Sequence, residues 1–196
     1  MVLNLCGLAE RCLGMPMTSV HEAVRLLMAE GALIDTPRGT LQVLSFDQVQ
    51  MLDLERARVK METMVLGIAM DNMHSATIYH LETITQLPNA VQASPDLTAN
   101  HDFHFTLCRK SNSAVMLPLI EGLWLQYGAY LYLIILYENA LHDDKNEFCT
   151  GIIRALRRND RDTAKAAQKT NIESRFNYVA VQNLDKLTLL LKKKPR

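Results

Sequence analysis

The sequence predicts a mainly α protein in two parts: a short unit of two helices and a β-prone hairpin at 1–45, then an all-α helical bundle at 46–191 with a basic tail at 192–196. Three observations lead there. Apolar residues recur at helical spacing almost everywhere after Ser45. The stretch from Ala32 to Leu44 is β-prone and is broken by the turn formers Pro37 and Gly39. Hydrophobic residues make up 48% of 196 against 21% charged, enough to bury a core and too apolar for a disordered chain.

Each element follows from its own signals. Leu8, Ala9 and Leu13 lie on one helical face and Val20, Val24, Leu27 and Met28 on another, separated by a turn at Gly14. After the hairpin, Ser45 with Gln48 three residues on has capping-box form; Val49 and Leu52 begin an apolar stripe, which Arg56 interrupts and Val59 resumes, over a helix to about Met73. A helix from Ser75 to Leu87 is closed by Pro88, and Gln92 to Asp96 form a connection. The next helix contains Asn100 to Arg109 and is punctuated by Ser111, Asn112 and Ser113. The run from Leu123 to Tyr137 reads as a buried helix, since its 15 residues fall short of a bilayer span. A polar loop from Glu138 to Asn146 bears His142, Asp143 and Asp144, a helix follows at Glu147 to Arg158, and Asp160 caps a last helix running towards Leu191.

Charge narrows the function. Lys+Arg and Asp+Glu both number 21, so no global field draws the chain to nucleic acid or an acidic membrane, and any such binding must come from a local cluster. Cys6, Cys12, Cys108 and Cys149 are scattered without C-x-x-C spacing, which fits reduced thiols. Met1 to Leu13 is interrupted by Asn4, Glu10 and Arg11, so no secretory signal is expected and the chain reads as cytoplasmic. Neither a nucleophile elbow nor a phosphate-binding glycine loop nor H-E-x-x-H occurs, which argues against an enzyme. His101 and Asp102 are adjacent on a helix and point about 100° apart, the wrong geometry for a relay. Lys192, Lys193, Lys194 and Arg196 read as a solvated tail.

The N-terminal spacing is that of a helix-turn-helix, in which the second helix would present Thr18, Ser19, His21 and Arg25 to a major groove. A plain helical hairpin has the same spacing. Leu8, Ala9, Glu10, Leu13, Gly14, Thr18, Val20, Glu22, Ala23, Leu27, Glu30 and Gly31 nevertheless follow an ordered pattern, which resembles the winged-helix domain of GntR-type transcription regulators. The resemblance implies double-stranded DNA as a partner, with Arg38 and Gly39 at the wing. It also implies departures: Pro16, Met17 and His21 stand where the family carries Ser, Arg and Arg, and the family's first helix lies upstream of Met1. Its absence would leave Leu8, Val20 or Val24 with exposed apolar surface.

From about Phe46 to Tyr178 the chain resembles the FadR-like branch with its all-helical effector-binding FCD-type domain. Arg58 and Glu62 match its Arg-x-x-x-Glu, and Asn100, Phe103 and His104 match its Asp/Asn-x-x-Phe-His. The resemblance implies that Arg58 faces a cavity for a small organic effector, a carboxylate fitting the arginine. Tyr127 and Tyr130 read first as core packing, and their hydroxyls are candidates to line such a cavity. Many relatives hold a divalent metal with an Asp and three His. Here the corresponding positions read Asn100, His104, Cys149 and Asn171, of which only His104 is an unaltered ligand, so no metal or other cofactor is expected. The implied assembly is a homodimer whose two reading helices are repositioned by the effector. The alternative is a small-molecule-binding or dimerisation protein that keeps the sensor fold without DNA binding.

Overall fold

The computed structural model describes residues 14, 16–36, 41–43, 48–86, 97–141 and 147–181. Helix α1 (Met17–Ala29) leads into an antiparallel pair, β1 (Leu33–Asp35) and β2 (Leu41–Val43), in the register Leu33↔Val43, Ile34↔Gln42 and Asp35↔Leu41. Six helices follow: α2 (Gln48–Ala69), α3 (Ser75–Gln86), α4 (Leu97–Arg109), α5 (Met116–Leu141), α6 (Glu147–Arg157) and α7 (Arg161–Val181). A 3-10 turn, Met70–Asn72, joins α2 to α3. The Ser45 cap and the wing-tip residues Arg38 and Gly39 lie outside the described residues.

α1 ends where its sequence tells it to. Gly31 at φ +72 takes the left-handed position, Ala32 N–H donates to Leu27 O and Gly31 N–H to Met28 O, so the last carbonyls of α1 are satisfied before the chain turns into β1. Val20 is buried while Val24 is half-buried, so the exposed apolar surface expected at Val20 is not found. Met28, read as inward-facing, is exposed.

The same closing device separates α6 from α7. Asn159 at φ +51 is left-handed, with Asp160 N–H on Ala155 O and Asn159 N–H on Leu156 O. Asp160 then caps α7 as anticipated, its Oδ1 accepting Thr163 N–H at 3.0 Å. A β-branched residue at Asn159 would meet the left-handed penalty. Asn159→Val is expected to destabilise the fold by about 1–2 kcal/mol in a urea titration, and Asn159→Gly to be neutral or better.

α2 is the central helix, packing mainly on α7 and also on α5 and α4. Its buried stripe is Met51, Leu54, Arg58, Glu62, Val65, Leu66 and Ala69. This corrects the expected stripe: Val49 is 70% exposed and Leu52 lies at the surface, because two charged residues occupy inward positions where apolar ones would be looked for. Helix α5 also differs, continuing through Glu138 to Leu141 and shortening the polar loop expected there. Ser113 Oγ accepts Met116 N–H at its start. Among the described residues no helix is long and apolar enough to cross a membrane.

Two apolar clusters fill the bundle. One joins Met51, Phe105, Ile120, Trp124, Tyr127 and Phe176; the other joins Leu66, Leu81, Phe103, Leu107, Ile152 and Leu156. His104 lies at their seam, its ring 5.6 Å from Phe103 and 5.2 Å from Trp124. The N-terminal unit rests on α5. A Cβ built on Gly122 would fall 2.7 Å from Glu30 Oε2, and one on Gly31 would lie 3.6 Å from Gln126 Nε2. At 3.6 residues per turn, Gly122 and Gln126 share one side of α5, while Trp124 and Tyr127 point to the other.

Candidate functional site

Arg58 and Glu62 lie one turn apart on α2, which carries both into the core, 2% and 1% exposed. Arg58 Nε donates to Glu62 Oε1 at 2.7 Å. Trp124 Nε1 on α5 donates to the same oxygen at 3.0 Å, and Gln168 Nε2 on α7 donates to Oε2 at 3.0 Å. His104 on α4 completes the group, its Nδ1 3.1 Å from Gln168 Nε2 and 3.5 Å from Glu62 Oε2. One carboxylate thus ties four helices together. The Arg58 guanidinium lies over two aromatic rings, 4.2 Å from the Trp124 centroid and 3.9 Å from that of Tyr127, replacing water with π faces.

The electrostatics favour an ionised glutamate. Burial alone would raise its pKa, but the Arg58 charge and the hydrogen bonds around it hold Glu62 at about 2. Burial lowers the pKa of His104, with Glu62 opposing that shift and Arg58 and Arg175 adding to it, so the imidazole is neutral at pH 7. A neutral ring accepting at Nδ1 from the Gln168 amide is consistent with both distances, and it aims the Gln168 N–H2 at Glu62 rather than setting two acceptors face to face.

A pH dependence follows. Both groups have native pKa values below their unfolded ones, so the unfolded chain binds more protons and stability falls on acidification. The first loss, from His104, is expected as pH drops below 6.5, and the second, from Glu62, between 4.5 and about 2. Urea midpoints measured from about pH 8 down to about 2 check this; His104→Gln should remove the first loss and leave the second.

Three buried polar atoms here have no hydrogen-bond partner among the described residues: Arg58 Nη1, Asn100 Nδ2 and Gln168 Oε1. Two are donors and one is an acceptor. Unpaired buried groups of this kind cost about 1–3 kcal/mol each unless something else meets them.

Asn171 and Arg175 extend the polar face of α7. Ala164, Gln168, Asn171 and Arg175 recur at three- and four-residue spacing, all buried. Asn171 Nδ2 lies 3.7 Å from Cys149 Sγ, and Arg175 Nε donates to Asn171 Oδ1 at 3.2 Å. This does not suit a metal ion. The amide oxygen that would face a cation already faces a guanidinium, the amide N–H2 is turned towards the thiol, and His104 Nδ1 is engaged by Gln168. Among the described residues no three His, Cys, Asp or Glu side chains converge on a metal position.

The structure brings Arg58, His104 and Tyr127 together at one centre; Asn100 lies one turn from His104, while Cys149 and Asn171 form an adjoining contact. The Tyr130 side chain lies outside the described residues. Sequence reasoning missed Trp124, Gln168 and Arg175 as members of the site. The α7 spacing was the available signal, hidden because polar residues were not looked for on an inward face. His101 and Asp102 do touch, Nδ1 to Oδ1 at 3.2 Å, contrary to the spacing argument. The His101 ring leans onto Phe105 at 4.1 Å, which swings it round, and the pair is half-exposed and remote from a relay.

In the N-terminal unit Thr18, His21 and Arg25 are exposed and Ser19 is half-buried. Spacings of three and four put the exposed three along one face of α1.

A helix with an antiparallel strand pair, joined to a helical bundle with a polar centre, makes a two-part architecture. The model of the FCD domain matches residues 53–174. The chain belongs to the FCD domain family. It is 28% identical over 133 residues to the HTH-type transcriptional regulator McbR of Escherichia coli (strain K12), covering 64% of this chain and 60% of that relative's length. Among solved structures, E. coli McbR/YncC has a TM-score of 0.78 at 23% identity, covering 97% of this chain and 88% of the other. A GntR-family transcriptional regulator from Pseudomonas syringae pv. tomato gives 0.61 at 16% identity, covering 97% and 79%.

Proposed function

We propose that the chain is a ligand-responsive DNA-binding transcription regulator, acting as a homodimer and without catalysis or a metal. α1 offers Thr18, His21 and Arg25 to a major groove, with Ser19 at the edge of that face. The bundle takes a small organic carboxylate. The relatives named above are transcriptional regulators, which supports the reading head. The observation that carries the effector reading is the trio of unpartnered buried atoms around Glu62 and His104: Arg58 Nη1 and Asn100 Nδ2 donate where a carboxylate accepts, and Gln168 Oε1 accepts from a hydroxyl or amine of the same ligand. Tyr127 is buried against the Arg58 guanidinium, and Cys149 and Asn171 bound the adjoining polar face.

Trp124 is the sole tryptophan and donates to Glu62, so its emission reports on the cluster directly. Titration with a panel of small carboxylates should give a saturable change in Trp124 fluorescence, and the ligand that does so should shift binding to a duplex selected from a random pool. Silence of Trp124 across the panel would sink the effector reading; no enriched duplex at low salt from a folded protein would sink the DNA reading. One observation favours the second reading, a sensor without DNA binding. The exposed face of α1 bears a single arginine, Arg25, with Met17 and His21 beside it.

A further inference from the structure

A hollow of about 380 Å³ opens on the surface between the start of α3 and the end of α4, lined by Ala76, Thr77, His80, Thr106, Arg109 and Lys110. Its lining carries two permanent cations, an imidazole and two hydroxyls, and no carboxylate. Arg109 and Lys110 form no ion pair among the described residues, although exposed arginines elsewhere in the bundle do, as Arg157 with Glu82 and Arg161 with Asp71. A cation in the last turn of α4 is favourable for the helix dipole, and that alone would account for Arg109. It does not account for Thr77. That residue is 8% exposed, lines the hollow, and its hydroxyl makes no hydrogen bond among the described residues. The residue as a whole is nearly buried, while its hydroxyl stays accessible.

The recess is also braced. Asn72 Nδ2 donates to Lys110 O at 3.0 Å, pinning the end of α4 to the turn before α3. The Arg109 guanidinium rests 5.6 Å over the Phe105 ring, so its direction is set by the core. Ala76 and Thr77 lie in the first turn of α3, a 12-residue helix, and His80 follows one turn on along the same side.

We propose that this hollow binds the phosphate group of a small phosphorylated molecule, at a site separate from the buried carboxylate centre. A phosphate group, with three terminal oxygens and a charge of about −1.5 to −2, is matched to the planar Arg109 fork, the Lys110 ammonium and the Thr77 and Thr106 hydroxyls better than a carboxylate is. The volume exceeds that of a bare phosphate and leaves room for a short organic group against Ala76 and His80. This proposal does not depend on the carboxylate reading, because the two sites share no residue.

The test is calorimetry and ³¹P NMR on the full chain, with inorganic phosphate and glycerol 3-phosphate as probes at constant ionic strength held with chloride. The expected result is saturable one-to-one binding, tighter for the ester, weakened at least about tenfold in Arg109→Gln/Lys110→Gln and several-fold in Thr77→Val. Each variant should stay folded with only a small drop in urea midpoint, since Arg109 and Lys110 make no ion pair, Arg109 gives up only its helix-dipole and Phe105 contacts, and Thr77→Val preserves shape. Absence of saturable binding up to about 10 mM overturns the proposal, as does binding that the double variant leaves intact. If the double variant loses duplex DNA affinity while phosphate binding is unchanged, the hollow is a DNA-backbone contact and the proposal is likewise overturned.

Discussion

Glu62→Ala is expected to destabilise the fold by about 3–5 kcal/mol, the largest effect of any single substitution considered, because it strands a buried guanidinium. Glu62 is the common acceptor for Arg58, Trp124 and Gln168; without it all three donors lose their partner at a buried centre where Arg58 is 2% exposed. Urea titration at pH 7 measures the loss. The companion experiment is Arg58→Met/Glu62→Leu, which removes both charges and fills the space with apolar atoms. It should be more stable than Glu62→Ala, although short of the parent, since Trp124 Nε1 and Gln168 Nε2 still want acceptors. A loss below about 1 kcal/mol in Glu62→Ala would mean that the carboxylate does not organise the four helices.

Met17→Arg/His21→Arg is expected to raise affinity for duplex DNA by at least tenfold. Each restored bidentate contact to a base edge is worth about 1–3 kcal/mol, and the two positions lie on the exposed face of α1 with Thr18 and Arg25. Fluorescence anisotropy at several salt concentrations separates two contributions. Contacts to phosphate should steepen the dependence of log K on log salt by about 0.9 per contact, whereas contacts to bases should sharpen discrimination among sequences. Neither residue supports the core, Met17 being 39% exposed, so folding should be unaffected. An unchanged affinity would remove α1 from the reading role.

Much of this molecule was legible from the order of its residues, for reasons that differ by element. The hairpin was marked by Pro37 and Gly39, the ends of α3 and α4 by Pro88 and Ser111 to Ser113, and the start of α7 by Asp160, each a local effect that tertiary packing leaves alone. The stripe of α2 was misread because periodicity looks for apolar residues, and this helix buries Arg58 and Glu62 instead. Val49 and Leu52 then supplied a false face. The end of α5 was misplaced because Glu138 and Asn139 looked like a loop, although nothing in their chemistry forbids a helix that has already formed six turns. At the candidate site, the four-residue spacings of Arg58 with Glu62 and Asn100 with His104 were visible within single helices. The closure of the cluster by Trp124 and Gln168, from α5 and α7, depends on how the helices cross, and no local pattern encodes that.

The seating of the N-terminal unit on α5 bears on how such proteins can be recombined. Glu30 lies over a position where α5 has no side chain, and Gln126 lies beneath a position where the α1–β1 turn has none. The two glycines, Gly122 and Gly31, differ in what they demand. A side chain at Gly122 would push aside only the carboxylate end of exposed Glu30, whereas one at Gly31 would keep ordinary contact with Gln126 and be disfavoured instead by the left-handed backbone at φ +72. A chimera that joins another N-terminal unit to this bundle therefore has to keep a glycine in the α1–β1 turn, while position 122 accepts a small side chain once Glu30 turns away.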